Sequence, residues 1–366
     1  MKGLNRMATI SLCMIVKNEE KVLARCLDSI SDTVDEIIIV DTGSADSTKD
    51  IAYRYTPLVF DFKWTDDFSA ARNFSFSKAS MDYILWLDAD DVVTKGNKEK
   101  LIVLKTRLES ADAVMMKYNT AFDEDGNPTF SYYRERLIRR GSFKAWRGRV
   151  HETAEYSGSP VYSEIEIHHY SVKTEYSTRN LEIYENQLAD GEKLQPRDIF
   201  YYGRELYYHK KYDKAIKTLS EFLNKDYGWY ENKIEACKIL SFCYCETGDY
   251  ERAFRTLLRS FLYDNPRSET CCLIGNLLME ENRYDRAVFW FELALHIPKK
   301  DMNGGFSDTD SHGYLPCIQL CVCYDKLKDY KKAQQYNLKA GTFRPHSEAY
   351  LQNLRYFEYL HQKGVL

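Results

Sequence analysis

Three carboxylates, Asp88, Asp90 and Asp91, come directly after the apolar run Tyr83-Ile84-Leu85-Trp86-Leu87. Asp88 and Asp90 are two positions apart, so an extended backbone turns both to one side. Like charges this close raise one another's pKa unless a cation relieves them. A divalent metal with a phosphate on its far side would relieve them, and a solvated acidic turn is the alternative. Asp91 is expected to point the other way and to cap the next element.

Such a cluster needs a scaffold, and the first half of the chain supplies the pattern of one. Tyr83–Leu87 has no polar alternation, which predicts a strand buried on both faces of a parallel sheet, with ligands at its carboxyl end. Ala8–Val16 predicts a first strand, Val22, Leu23, Cys26, Leu27 and Ile30 share one helical face, and Glu36–Val40 predicts a second strand ending in Asp41. Strand, helix, strand with an acid at the strand end is the βαβ logic of a nucleotide-binding sheet. No G-x-G-x-x-G and no Walker loop is present, which disfavours a dehydrogenase or a P-loop enzyme.

After a short strand at Leu58-Val59-Phe60, Asp67 or Ser69 can cap a helix that carries Arg72 near its start. There a guanidinium and the helix dipole would both favour a phosphate, and an ion pair with Asp66 or Asp67 is the alternative. Ala111–Tyr118 predicts a further strand, and 124–128 a turn. Arg134, Arg136, Arg139 and Arg140, with Lys144, Arg147 and Arg149 beyond, could hold a diphosphate or an acidic acceptor, or form a solvated strand face. Val161–Tyr170 predicts a late strand with His169 on the row of Ile165 and Ile167 and His168 facing outward.

Composition narrows the class. With 366 residues, two domains are expected, and a formal net charge of −4 carries no sign of nucleic-acid binding. No apolar run has transmembrane length and the N-terminus lacks a signal-peptide pattern. The ten cysteines, mostly on helical apolar faces, are expected as buried thiols of a cytoplasmic protein.

From about Ser177 the chain turns helical and tyrosine-rich. Tyr212-Asp213-Lys214-Ala215, Tyr250-Glu251-Arg252-Ala253, Tyr284-Asp285-Arg286-Ala287 and Tyr330-Lys331-Lys332-Ala333 recur at intervals near the ~34-residue period of tetratricopeptide hairpins. The last interval is stretched by a Gly- and Asp-rich insertion at 299–313, expected as a loop. Each Tyr-x-x-Ala is expected to open a second helix, with Ala allowing close approach. The boundary between the domains is set at 175/176, giving units 1–175 and 176–366.

Ile10–Glu19 (ISLCMIVKNE), Ile39–Ser44 (IVDTGS), Phe68–Asn73 (FSAARN) and Leu87–Asp91 (LDADD) occur in the order of family 2 glycosyltransferases, which the chain resembles. The resemblance implies an α/β GT-A domain followed by an all-α tetratricopeptide-like domain. It also implies a UDP-sugar donor, UDP-glucose favoured, and a divalent metal, Mg²⁺ or Mn²⁺. It places Asn18, Glu19, Asp41, Arg72 and Asp88 at the donor, and Asp90, His169 and Asp88 at the metal. Val150-His151-Glu152 would lie on the acceptor side, with Glu152 the candidate general base and His151 the second candidate. Ala45 and Ser47 depart from the commoner loop pattern without removing a charge.

Over most of its length the chain resembles bacterial enzymes that glycosylate Cys, or Ser, of sublancin-like bacteriocin peptides. The acceptor is then expected between the two domains, and the repeats offer a surface for a homodimer. An enzyme of envelope polysaccharide or lipopolysaccharide-core synthesis, and an inactive sugar-nucleotide-binding interaction protein, are the alternatives.

Overall fold

The computed structural model describes residues 7–108, 111–172, 176–225, 228–299 and 305–366. The chain divides into a sheet unit, Met1–Ala121 with Ser131–Lys193, and a helical unit, Phe122–Phe130 with Leu194–Leu366. The helix at Arg179–Ala189 thus groups with the sheet, past the 175/176 boundary read from composition.

The sheet unit begins β1 (Ile10–Val16), α1 (Leu23–Asp28), β2 (Glu36–Asp41), α2 (Thr48–Ala52), β3 (Val59–Asp61), α3 (Phe68–Ser77) and β4 (Tyr83–Trp86). It continues β5 (Asp91–Val92), α4 (Lys95–Lys105), β6 (Ala113–Phe122), β7 (Pro128–Arg139), β8 (Phe143–Arg147), β9 (Thr153–Tyr156), β10 (Pro160–His169) and α5 (Arg179–Ala189). Strand order is β3-β2-β1-β4-β7-β6-β10-β5, with β8 and β9 forming a separate ribbon.

β1 runs parallel to β2 and β4, while β7 is antiparallel to β4. Alternate residues feed two cores. Ile10, Leu12, Met14, Tyr83 and Leu85 pack on one face, and Cys13, Ile38, Val40, Ile84 and Trp86 on the other. The unbroken apolar runs therefore become strands covered on both sides. Val16 and Asp41 end β1 and β2 side by side, β4 ends at Trp86 opposite Cys13, and the loops beyond them form the cleft.

In the helical unit each Tyr-x-x-Ala opens a second helix, as its spacing implies. The pairs are α6 (Pro196–Tyr208) with α7 (Tyr212–Asn224), α8 (Tyr230–Glu246) with α9 (Tyr250–Arg259), α10 (Ser268–Glu280) with α11 (Tyr284–His296), and α12 (Tyr314–Lys326) with α13 (Tyr330–Phe343). A last helix, α14 (Glu348–Gln362), completes the unit. Ala215, Ala253, Ala287 and Ala333 are fully buried. Gly203 and Gly275 serve the same close approach, since a Cβ there would meet Leu219 at 2.5 Å and Phe291 at 2.6 Å. Two residues before each tyrosine, Lys210, Gly248, Asn282 and Lys328 take left-handed backbone and turn the chain.

Part of the 299–313 insertion, residues 300–304, lies outside the described residues. Beyond it come β11 (Ser307–Asp308) and a 3₁₀ turn at Asp310–His312. Thr309 donates to the Thr129 carbonyl at 2.8 Å, and Arg344 pairs with Glu124 and with Asp310 (2.9 Å). Among the described residues no helix is long and apolar enough to cross a membrane.

Candidate active site

The acidic turn after β4 is closed by its own side chains. The Asp91 carboxylate accepts from the Asp88 backbone N–H at 2.9 Å and from the Tyr118 hydroxyl at 2.8 Å, and Arg136 Nη1 lies 3.0 Å away. Asp91 is wholly buried. It does not point away to cap the next element, as the alternation suggested. Pairing of β5 with β10 sets Asp91 opposite His169 and turns its side chain inward.

That register brings His169 to the carboxylates. Its Nδ1 lies 3.3 Å from Asp90 Oδ1, 3.4 Å from Asp91 Oδ1 and 2.8 Å from the Tyr118 hydroxyl. Burial acts to lower the His169 pKa, but the hydrogen bonds and charges of Asp90 and Asp91 override it and raise it to about 10. The position thus favours positive charge, because two carboxylates converge on the imidazole. One ligand atom from each of Asp90, Asp91 and His169 falls within 4.8 Å of the others. Two oxygens and one nitrogen are a donor set that suits Mn²⁺ or Mg²⁺, so these residues fit the implied cation.

Asp88 is engaged differently. Arg72 Nη2 donates to Asp88 Oδ1 at 2.9 Å, and Arg72 Nε bonds Glu152. Asp67 is instead the N-cap of α3, accepting from Ala70 N–H at 3.0 Å, and Asp66 accepts from the Trp64 indole at 2.8 Å. Arg72 therefore takes neither of the near acids. Its guanidinium lies 4.4 Å from the centroid of the Trp86 ring. Burial works to raise the Asp88 and Glu152 pKa values, and Arg72 outweighs it, with Arg136 assisting at Asp88; both carboxyls stay below the ordinary range. Glu152 is 8% exposed and bound to Arg72, which makes it a weak base and a good anchor. His151 beside it has left-handed backbone, φ 51°.

The loops after β1 and β2 are tied together by Asn18, whose backbone N–H donates to Ser44 Oγ and whose Oδ1 accepts from Ala45 N–H. Asp41 Oδ1 accepts from Gly43 and Ser44 N–H, both at 2.9 Å. Its Oδ2 is buried and, among the described residues, has no hydrogen-bond partner. Such an acceptor suits a nucleobase N–H.

The cleft itself is lined by Lys17, Glu19, Thr42, Arg72, Asp88 and Asp90, with Trp64, Phe68 and Arg179. Sequence reasoning assigned no site role to the last three. Arg179 opens α5 and stands 4.5 Å over the Phe68 ring. The Trp64–Phe68 spacing on the edge of a helix was the one available sign. The arginines of β7 and beyond do not form one cluster: Arg134 and Arg136 both stand on the Trp86 ring, with Arg136 buried under the acidic turn, while Arg140 Nε bonds the Met81 carbonyl, Arg147 pairs with Glu155 and Arg149 with Glu192.

Residues 11–159 match the Glycosyl transferase family 2 profile, and residues 268–301 match a Tetratricopeptide repeat profile. The chain carries a family 2 glycosyltransferase domain followed by tetratricopeptide-type repeats. Among curated relatives, the glycosyltransferase SunS of Bacillus subtilis is 32% identical over 232 residues, covering 59% of this chain and 53% of SunS. EpsH of Bacillus subtilis is 33% identical over 124 residues, 32% of this chain and 36% of EpsH. A TPR repeat-containing protein of Synechococcus elongatus is 44% identical over 108 residues, 30% of this chain and 26% of that protein. The chain spans about half the length, or less, of these relatives.

Proposed function

We propose that the chain transfers a hexose from a UDP-sugar to a cysteine or serine side chain of a peptide, with inversion and with a divalent cation. The observation that carries this reading is one cleft at the strand ends where Arg72, Asp88 and Asp90 meet, with Asp90 beside His169. The peptide acceptor rests on the resemblance to enzymes acting on sublancin-like peptides and on repeats whose stacking yields a concave surface. Ten cysteines without a disulfide fit a reducing, cytoplasmic setting.

In this reading Asp41 receives the nucleobase through Oδ2, and Asp88, fixed by Arg72, faces the ribose and diphosphate. Asp90, Asp91 and His169 would hold the cation, which as a Lewis acid offsets charge on the departing UDP. The acceptor sulfur or oxygen attacks the anomeric carbon as the carbon–oxygen bond to UDP breaks, and the acceptor proton is lost. A thiol with pKa about 8.5 is a few per cent thiolate at neutral pH, so a cysteine acceptor makes little demand on a base. Glu152 then acts by holding Arg72, which leaves His151 as the candidate to take a serine proton.

Purified protein incubated with UDP-glucose, Mn²⁺ and peptides bearing one Cys or one Ser, followed by mass spectrometry, tests the reading. Hexose on the peptide is expected. Donor hydrolysis without peptide transfer would move the acceptor to a glycan, and neither reaction with any UDP-sugar would leave a binding protein.

A further inference from the structure

Arg136 is a cation of the sheet unit with no exposure at all, yet it belongs to no motif of the sequence. It precedes Leu137 on β7, one step beyond the Leu85–Leu137 pairing, and so lies beneath the turn that carries the acids. Its Nη1 is 3.0 Å from Asp91, 3.9 Å from Asp88 Oδ2 and 3.3 Å from the Trp86 carbonyl. The guanidinium carbon stands 3.8 Å from the Trp86 ring centroid and 4.2 Å from that of Tyr118. Nε and Nη2 are buried and, among the described residues, lack hydrogen-bond partners. Aromatic faces take the place of those bonds.

Arg136 and Arg72 divide one carboxylate between them. Arg72 holds Asp88 Oδ1 at 2.9 Å while Arg136 faces Oδ2, and both guanidiniums lie over Trp86. We infer that Arg136 is the positioning residue of the acidic turn. It balances Asp91 from below and, together with Arg72, fixes the rotation of Asp88, so that the turn is set before any ligand arrives. Arg136 touches no substrate in this arrangement and acts through Asp88 and Asp91. The inference rests on the donor reading only in taking Asp88 as a group that contacts the nucleotide.

The test separates charge balance from positioning. Arg136→Met leaves Asp91 buried without its cation and should lower the melting temperature by several degrees; Asp91→Asn should do so too. The double variant R136M/D91N removes both charges and should recover most of that loss. If Arg136 positions Asp88, the recovered double variant still binds UDP about ten-fold more weakly than Asp91→Asn alone, which lacks the same carboxylate but keeps Arg136. UDP affinity in the double variant equal to that of Asp91→Asn, or unchanged stability and affinity in Arg136→Met, would overturn the assignment. Should the native chain bind no UDP, the donor reading fails, and the crystal structure of the double variant decides alone. Asp88 turned away from Arg72 then supports the assignment, and Asp88 unmoved overturns it.

Discussion

Arg72 and Glu152, separated by 80 positions, form an ion pair that is almost wholly buried beside the cleft. The pair joins the start of α3 to the segment after β8 and gives Asp88 a fixed neighbour. Burying two charges is repaid only when each finds its partner and its hydrogen bonds. Arg72 meets that condition with two carboxylates and an indole face.

The pair supports the anchoring role proposed for Glu152. Glu152→Ala should destabilise the fold by about 3 kcal/mol, the order seen when one partner of a buried pair is removed. Transfer to Cys and to Ser peptides should fall by similar factors, because Glu152 acts through Arg72. A general base would show otherwise, with serine transfer falling far more than cysteine transfer. Initial rates with the two peptides, together with urea unfolding, check both parts.

Acid should undo the same network. A carboxylate whose folded pKa is depressed contributes stability that is present above its unfolded value, near 4, and is lost as the pH falls through the folded value. Asp88 and Glu152 both fall in this class. Unfolding free energy should therefore decline below about pH 4. Glu152→Gln, with one titrating group fewer, should show a shallower decline. Urea titrations between neutral and acid pH measure the two slopes.

In the proposed reading Asp90 serves the cation more than the fold, since among the described residues it has no ion pair with a buried arginine. Asp90→Asn should leave the melting temperature near native and abolish Mn²⁺-dependent donor turnover. EDTA should do the same to the native chain, with activity restored by added Mn²⁺ or Mg²⁺. Turnover that survives both treatments would remove the cation from the mechanism.

A change in the repeats should act on stability alone. Gly275→Ala places a methyl 2.6 Å from the Phe291 ring, which is fully buried. Overpacking of this kind costs about 1–3 kcal/mol. Thermal unfolding should shift down while UDP affinity stays native.

How much of the molecule is legible in its sequence depends on the range of the signal. The strands of the sheet unit are legible because Ile10–Val16 and Tyr83–Trp86 are apolar without alternation. The hairpins are legible because Tyr and Ala recur at helix starts. Asp88, Asp90, Arg72 and His169 stand out through blocks of local sequence. Asp91 lies in the same acidic block and Arg136 in a run of arginines, but their pairing is hidden, because it depends on which strands lie side by side, β10 against β5 and β7 against β4. Local alternation says nothing about that order. Lys210 and Lys328 hide their left-handed turns because lysine, unlike glycine, does not mark that conformation.

The register that sets His169 across from Asp91 joins positions 78 apart and depends on β10. Contacts this distant in the chain close late, after the loop entropy between them has been lost. In the proposed reading the cation position is therefore complete only once β10 lies beside β5. A ligand held there binds only the finished domain and draws β10 into the same cooperative unit as β5.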